Sequence, residues 1–227
     1  MGGMIPSVEW AEELHRRVAP SPAAYELIHT HCVIIAGIGK ELAQRANARY
    51  RAAQVRAASN ASMDSAVPQR ELDADLVYLG GLLHDIGAYR ILASDGADGR
   101  PLAFDDRYIQ HGIAGYELLK AEGVDESIAQ FARNHTGVGL TRQQVEAEHL
   151  NLPVDDYVPQ SLEQELVMYA DNYHSKHQPP IFVSEPTAAK RTARYGEENL
   201  CRWKTLVAKY GVPALEPLAR EYRMDIV

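Results

Sequence analysis

Between Ala74 and Gly87 the chain reads ADLVYLGGLLHDIG, and this stretch constrains the fold more than any other. Leu76, Leu79, Leu83 and Ile86 recur at helical spacing while Val77 and Leu82 fill the other faces. A helix that is apolar nearly all round belongs at the centre of a helical core. This one nevertheless carries an imidazole and a carboxylate, His84 and Asp85, at its end. A carboxylate taken out of water needs a cationic partner or a metal ion.

The rest of the pattern is also helical. From His31, the positions Ile34, Ile35, Ile38 and Leu42 form one buried stripe that includes His31 itself. A polar, Arg-rich continuation runs from Arg45 to Arg56, and Ala57–Pro68 reads as a loop. Asp125, Thr141 with Gln144, and Ser161 with Gln164 mark helix starts, the last two at capping-box spacing. Gly87, Gly123 and Gly137 stand where helices are expected to stop. No segment alternates with period two between hairpin turns, so the expected fold class is all-α. The pair Pro179-Pro180 must leave helical geometry and divides the chain into a core domain, 1–180, and a C-terminal helical extension, 181–227. Leu200, Trp203, Leu206 and Val207 give that extension one apolar face, to be packed on the core or on a second subunit of a homo-oligomer. No histidine follows Ser184, so no metal ligand is expected from the extension.

Composition narrows the function classes. With 46% hydrophobic residues the chain can bury a full core, and a net charge of -8 argues against sequence-independent nucleic-acid binding while leaving room for a small anionic ligand. Cys32 and Cys201 are too few and too far apart for a disulfide framework. With no targeting segment at Met1–Ser7 and no run of about 18 apolar residues, the expected location is the cytoplasm, with no membrane span.

Six residues carry the chemistry: His31, His84, Asp85, His111, His135 and Asp171, each on or at the end of an apolar helix. Adjacent helical residues point about 100° apart, so His84 and Asp85 can serve one centre only if the helix ends there. A carboxylate so placed can bridge two ions about 3.5–4 Å apart. Imidazole with carboxylate suits Mn, Fe, Co, Ni or Zn. Arg90, Arg107 and Lys176 neighbour these positions and are expected to hold a phosphate, and His174 and His177 follow Asp171 as rim residues. His29 and His149 read as solvated, and His15 as part of an unremarkable N-terminal helix.

The order His31, His84-Asp85, Asp171 resembles the HD superfamily of metal-dependent phosphohydrolases, and His84-Asp85-Ile86-Gly87 spells its HDIG variant. The similarity runs from about Tyr25 to His177. It implies a helical bundle in which His31, His84, Asp85 and Asp171 hold one divalent ion. In two-metal members, positions matching His111 and His135 hold a second, with Asp85 at the heart of catalysis. The implied activity is hydrolysis of a phosphoester of a nucleotide or small phosphorylated metabolite by a metal-activated water. The same six-residue pattern resembles HD-fold diiron oxygenases, and a ligand-binding or sensor module is the other alternative. Thr136-Gly137-Val138-Gly139 departs from the Gly-Tyr-Pro of the cyclic-di-GMP phosphodiesterases. No Glu-Asp pair follows His84-Asp85 as it does in guanosine tetraphosphate hydrolases, and Ala88 replaces a phosphate-binding Lys found in several two-metal members.

Overall fold

The computed structural model describes residues 2–57 and 67–227, so most of the expected loop at Ala57–Pro68 lies outside the described residues. Ten α-helices form among the described residues. They are α1 (Val8–Val18), α2 (Pro22–Ala57), α3 (Ala74–Leu83), α4 (His111–Ala121), α5 (Glu126–Arg133), α6 (Arg142–Ala147), α7 (Leu162–Asp171), α8 (Glu185–Ala193), α9 (Glu197–Tyr210) and α10 (Leu215–Tyr222). The fold is all-α with two small additions. β1 (Leu92–Asp95) pairs antiparallel with β2 (Leu102–Phe104), and β3 (His174–Ser175) with β4 (Ile181–Phe182). Ladders of two to four residues are too short to show a period-two signal.

α2 begins where its sequence directs it. Pro22 takes the first helical position, and the Ser21 hydroxyl accepts from the Ala24 N–H at 3.0 Å. Its stripe of Ile28, Cys32, Ile35 and Leu42 is fully buried against α3, and α7 packs on both. The α2–α3 approach is close because Gly81 faces Ala36: a Cβ at Gly81 would lie 2.5 Å from the Ala36 Cα. This contact lies five residues from His31 and three from His84, so it brings those two side chains together. The capping box at Thr141 and Gln144 forms in full. At Ser161 only half forms, because the Gln164 amide oxygen accepts from the Gln160 N–H instead.

The extension is bonded into the core. Trp203 is fully buried beside Tyr169 and Tyr173 of the α7 segment, and its indole N–H donates to Glu185 at 3.0 Å. The Val183 N–H donates to the Tyr173 carbonyl at 2.9 Å, and the Tyr169 hydroxyl to the Gly211 carbonyl at 2.7 Å. No helix among the described residues is long and apolar enough to cross a membrane.

Glu163, in the first turn of α7, is a buried carboxylate that accepts from both Arg70 nitrogens at 2.6 and 2.7 Å and from the Asp73 N–H at 3.1 Å. Burial raises its pKa, but Arg70 and the Asp73 amide outweigh this and leave it below the ordinary carboxylate value. A depressed folded-state pKa contributes stability that is complete above the unfolded pKa and lost as the pH falls through the folded one. Because Arg70 is half exposed, Glu163→Gln is expected to cost only about 1–2 kcal/mol at neutral pH. The gap to wild type should shrink below about pH 4.5 in parallel denaturant titrations. A gap independent of pH would assign the loss to packing.

Candidate metal centre

Five of the six expected ligands stand at or just beyond helix ends, where a side chain is free of the helical register. His84 caps α3, which stops at Leu83. Asp85 follows with φ -109° and ψ 14°, outside the helical well, before a 3-10 turn over Ile86–Arg90. His84 and Asp85 thus escape the 100° divergence of helical neighbours and face one centre. His111 opens α4, His135 follows α5 after Asn134, and Asp171 closes α7. His31 comes from within α2.

The side chains converge. His31 Nε2 lies 3.1 Å from His84 Nε2, 3.0 Å from Asp171 Oδ1 and 3.5 Å from Asp85 Oδ2. On the other side of Asp85, its Oδ1 lies 3.6 Å from His111 Nε2 and 3.9 Å from His135 Nε2. Three overlapping donor sets that could hold a metal result: His31, His84 and Asp85; His84, His135 and Asp171; Asp85, His111 and His135.

Proton accounting shows what these sets fit. His84, His111 and His135 each place Nδ1 on the carbonyl three residues back, at 2.7 Å to Gly81, 2.5 Å to Tyr108 and 2.7 Å to Ala132. A carbonyl only accepts, so each Nδ1 carries a proton and Nε2 is the ring atom left to face the centre. His31 reaches the same state by a relay. Its Nδ1 is 2.8 Å from His174 Nδ1, and His174 Nε2 is 3.3 Å from the Met224 sulfur, an acceptor only. His174 therefore donates to Met224 and accepts from His31, which leaves Nε2 as the free base.

Lone pairs then face one another, with His111 and His135 Nε2 only 2.8 Å apart. Protons do not fill these gaps readily. Burial and the nearby His111 and His84 push His135 down to about 3, burial and Lys176 push His31 down to about 4, and burial lowers His111 as well. Burial also disfavours charge on His84, yet Asp171 and Cys32 outweigh it and raise its pKa well above the ordinary value. Both carboxylates, despite burial, stay well below the usual range, Asp85 through Lys176 and the imidazoles and Asp171 through His31 and His84. Asp85 Oδ1 is fully buried without a hydrogen-bond partner among the described residues. The Lys176 ammonium already sits on Oδ2. An arrangement of outward lone pairs around ionised carboxylates, one oxygen orphaned and the other holding a cation, fits divalent metal.

The HD domain family matches residues 28–176, a span that contains all six side chains and about two thirds of the chain. This chain belongs to that family. The chain is 42% identical over 102 residues to an uncharacterised protein of Methanocaldococcus jannaschii, covering 45% of this chain and 50% of that protein. It is 40% identical over 100 residues to a tRNA (cytidine(56)-2'-O)-methyltransferase of Picrophilus torridus and 35% identical over 100 residues to its counterpart in Thermoplasma volcanium. Those matches cover 44% of this chain but only 24% and 25% of the enzymes. The chain thus spans half or less of the curated relatives it matches. Among solved structures, the PgpH phosphodiesterase HD domain of L. monocytogenes, in complex with cyclic-di-AMP, aligns with a TM-score of 0.46 at 14% identity over 90% of this chain and 97% of that one.

The remaining expectations divide. Lys176 is at the HD site, its ammonium on Asp85 and 5.8 Å above the Tyr108 ring. Arg107 is not: its guanidinium is spent on Asp105 two residues away, at 2.5 Å. Arg90 is solvent-exposed, with Glu122 as its charged neighbour. His177 is exposed at the cavity rim, and His174 also lines the cavity, although it is buried against His31 because the chain leaves α7 at Asp171 and enters β3. His29 is largely buried on Glu12 at 2.8 Å. His15 is fully buried, with Nε2 2.7 Å from the Leu82 carbonyl and Nδ1 2.9 Å from the Tyr89 hydroxyl, and so ties α1 to the turn that carries the His-Asp pair. Ala11, buried one turn back on the same face, and the adjacent buried Leu14 are the signal that would have found it.

Proposed function

We propose that this protein is a metal-dependent phosphohydrolase acting on a phosphoester of a nucleotide or another small phosphorylated metabolite. The observation that carries this reading is the position of Asp85, whose two oxygens face two different imidazole sets from a fully buried carboxylate. His31, His84, Asp85 and Asp171 would hold one ion, and His111 and His135, sharing Asp85, a second. Ions so held activate water and neutralise charge on phosphoryl oxygens during in-line displacement.

The chain's own groups do the rest. The four carbonyl- and His174-anchored imidazoles keep their lone pairs aimed without rotamer freedom. Lys176, held protonated by Asp85 against the cost of burial, places one positive charge beside the centre. Asp171 is 22% exposed and forms part of the floor of a cavity of about 420 Å³, a volume suited to a small phosphorylated metabolite. The shared segment covers only a quarter of the tRNA methyltransferases, too little to carry their named activity over to this chain.

The test is a panel of phosphomonoesters and phosphodiesters, nucleoside monophosphates included, offered to protein purified without chelator and loaded with Mn²⁺ or Co²⁺. Phosphate release that a chelator abolishes and added metal restores is expected. Retained metal with no release across the panel would contradict the reading, and O₂ consumption in its place would favour an oxygenase.

A further inference from the structure

The cavity over the metal centre is built from two parts of the chain. Asp171 and Lys176 form its floor, Phe104 and Tyr108 line it, and Arg191 reaches it from α8, beyond the paired prolines. Two other guanidinium groups of the surrounding loops are already committed, Arg107 to Asp105 at 2.5 Å and Arg100 to Asp95 at 3.9 Å. Arg191 is exposed, and its guanidinium makes no ion pair or hydrogen bond among the described residues. It also borders a second, mainly apolar cavity of about 270 Å³, which shares Asn172 with the first and is lined by Leu140, Leu150 and Tyr195, with Glu148 among its polar residues. An uncommitted guanidinium between a metal-binding floor and an apolar compartment matches a ligand with an anionic head and a less polar body.

We propose that Arg191 binds the substrate phosphate in the same cavity as Lys176, so that the C-terminal extension completes the substrate site, and that the substrate is a phosphomonoester. Counting oxygens favours the monoester, which can serve the fork and the centre without sharing one. A guanidinium fork takes two phosphate oxygens, and the centre at Asp171 needs at least one more. A monoester has three free oxygens and a diester two. This inference rests on the phosphohydrolase reading.

The experiment measures binding to Mn²⁺-loaded wild type, R191A and R191K by calorimetry, with inorganic phosphate, methyl phosphate and dimethyl phosphate as probes and metal content determined in parallel. Wild type should bind phosphate and methyl phosphate and prefer both to dimethyl phosphate. R191A should bind inorganic phosphate about tenfold more weakly or worse, and lose most of the preference, with unchanged metal content and unfolding midpoint. R191K should recover only part, because an ammonium cannot form the fork. Wild-type phosphate affinity in R191A would overturn the role of Arg191 and leave the phosphohydrolase reading standing. Failure of the metal-loaded wild type to bind phosphate would overturn both.

Discussion

Asp85→Ala is expected to strip the protein of most of its bound metal and of more than about 100-fold of any metal-dependent rate. Groups that merely orient metal ligands cost 10- to 100-fold when removed. Asp85 is placed to serve both imidazole sets directly, so its loss should exceed that range. The variant should also lower the stability of the metal-free protein by about 3–5 kcal/mol, because it leaves the Lys176 ammonium buried without its carboxylate. The two effects separate in the double variant Asp85→Ala with Lys176→Met. Stability should recover there while metal stays lost, as read by thermal unfolding and elemental analysis of the same samples. Metal content preserved in Asp85→Ala would remove Asp85 from the ligand set.

Gly87→Ala should be the most damaging single-methyl change in the chain outside the ligands. A Cβ at Gly87 would lie 2.1 Å from both the Gly115 nitrogen and the His111 carbonyl oxygen. Backbone cannot yield as a flexible side chain does, so α4 must move and carry His111 with it. Overpacking of this kind costs about 3 kcal/mol or more. The His111–His135 side of the centre should lose metal before the His31 side. Gly37→Ala, an exposed position within α2 with nothing within 4 Å of the added carbon, is the control. There the same methyl should stabilise by about 0.5–1 kcal/mol. Equal effects at the two glycines would mean that the α4 contact is not as close as described.

Gly87 also shows where sequence reasoning stops. It reads as a helix stop, and α3 does end nearby, but a 3-10 turn continues through it and its φ is not positive. Glycine is required there because α4 lies against it, a contact between segments 28 residues apart that no local pattern reveals. The α2 stripe, the Thr141 capping box and the N-cap at Asp125 were legible because each depends on residues within a turn or two of one another. The six candidate ligands, which the structure brings together, were legible through chemistry: ionisable groups on or at the ends of apolar helices have few uses. His174 does line the cavity, but it gets there from β3 and not by an α7 register running past Asp171, and its bond to His31 was not legible. The pairing of Arg107 with Asp105, two residues away, was not anticipated.

The central claim is that one buried aspartate joins two imidazole sets into a two-ion centre, and native mass spectrometry of Mn²⁺- or Co²⁺-loaded protein counts those ions directly. About two per chain are expected for wild type and about one for His135→Ala, with the ion at His31, His84, Asp85 and Asp171 surviving. One ion or none in wild type, unaffected by His135→Ala, would contradict the account and return His111 and His135 to the cavity wall.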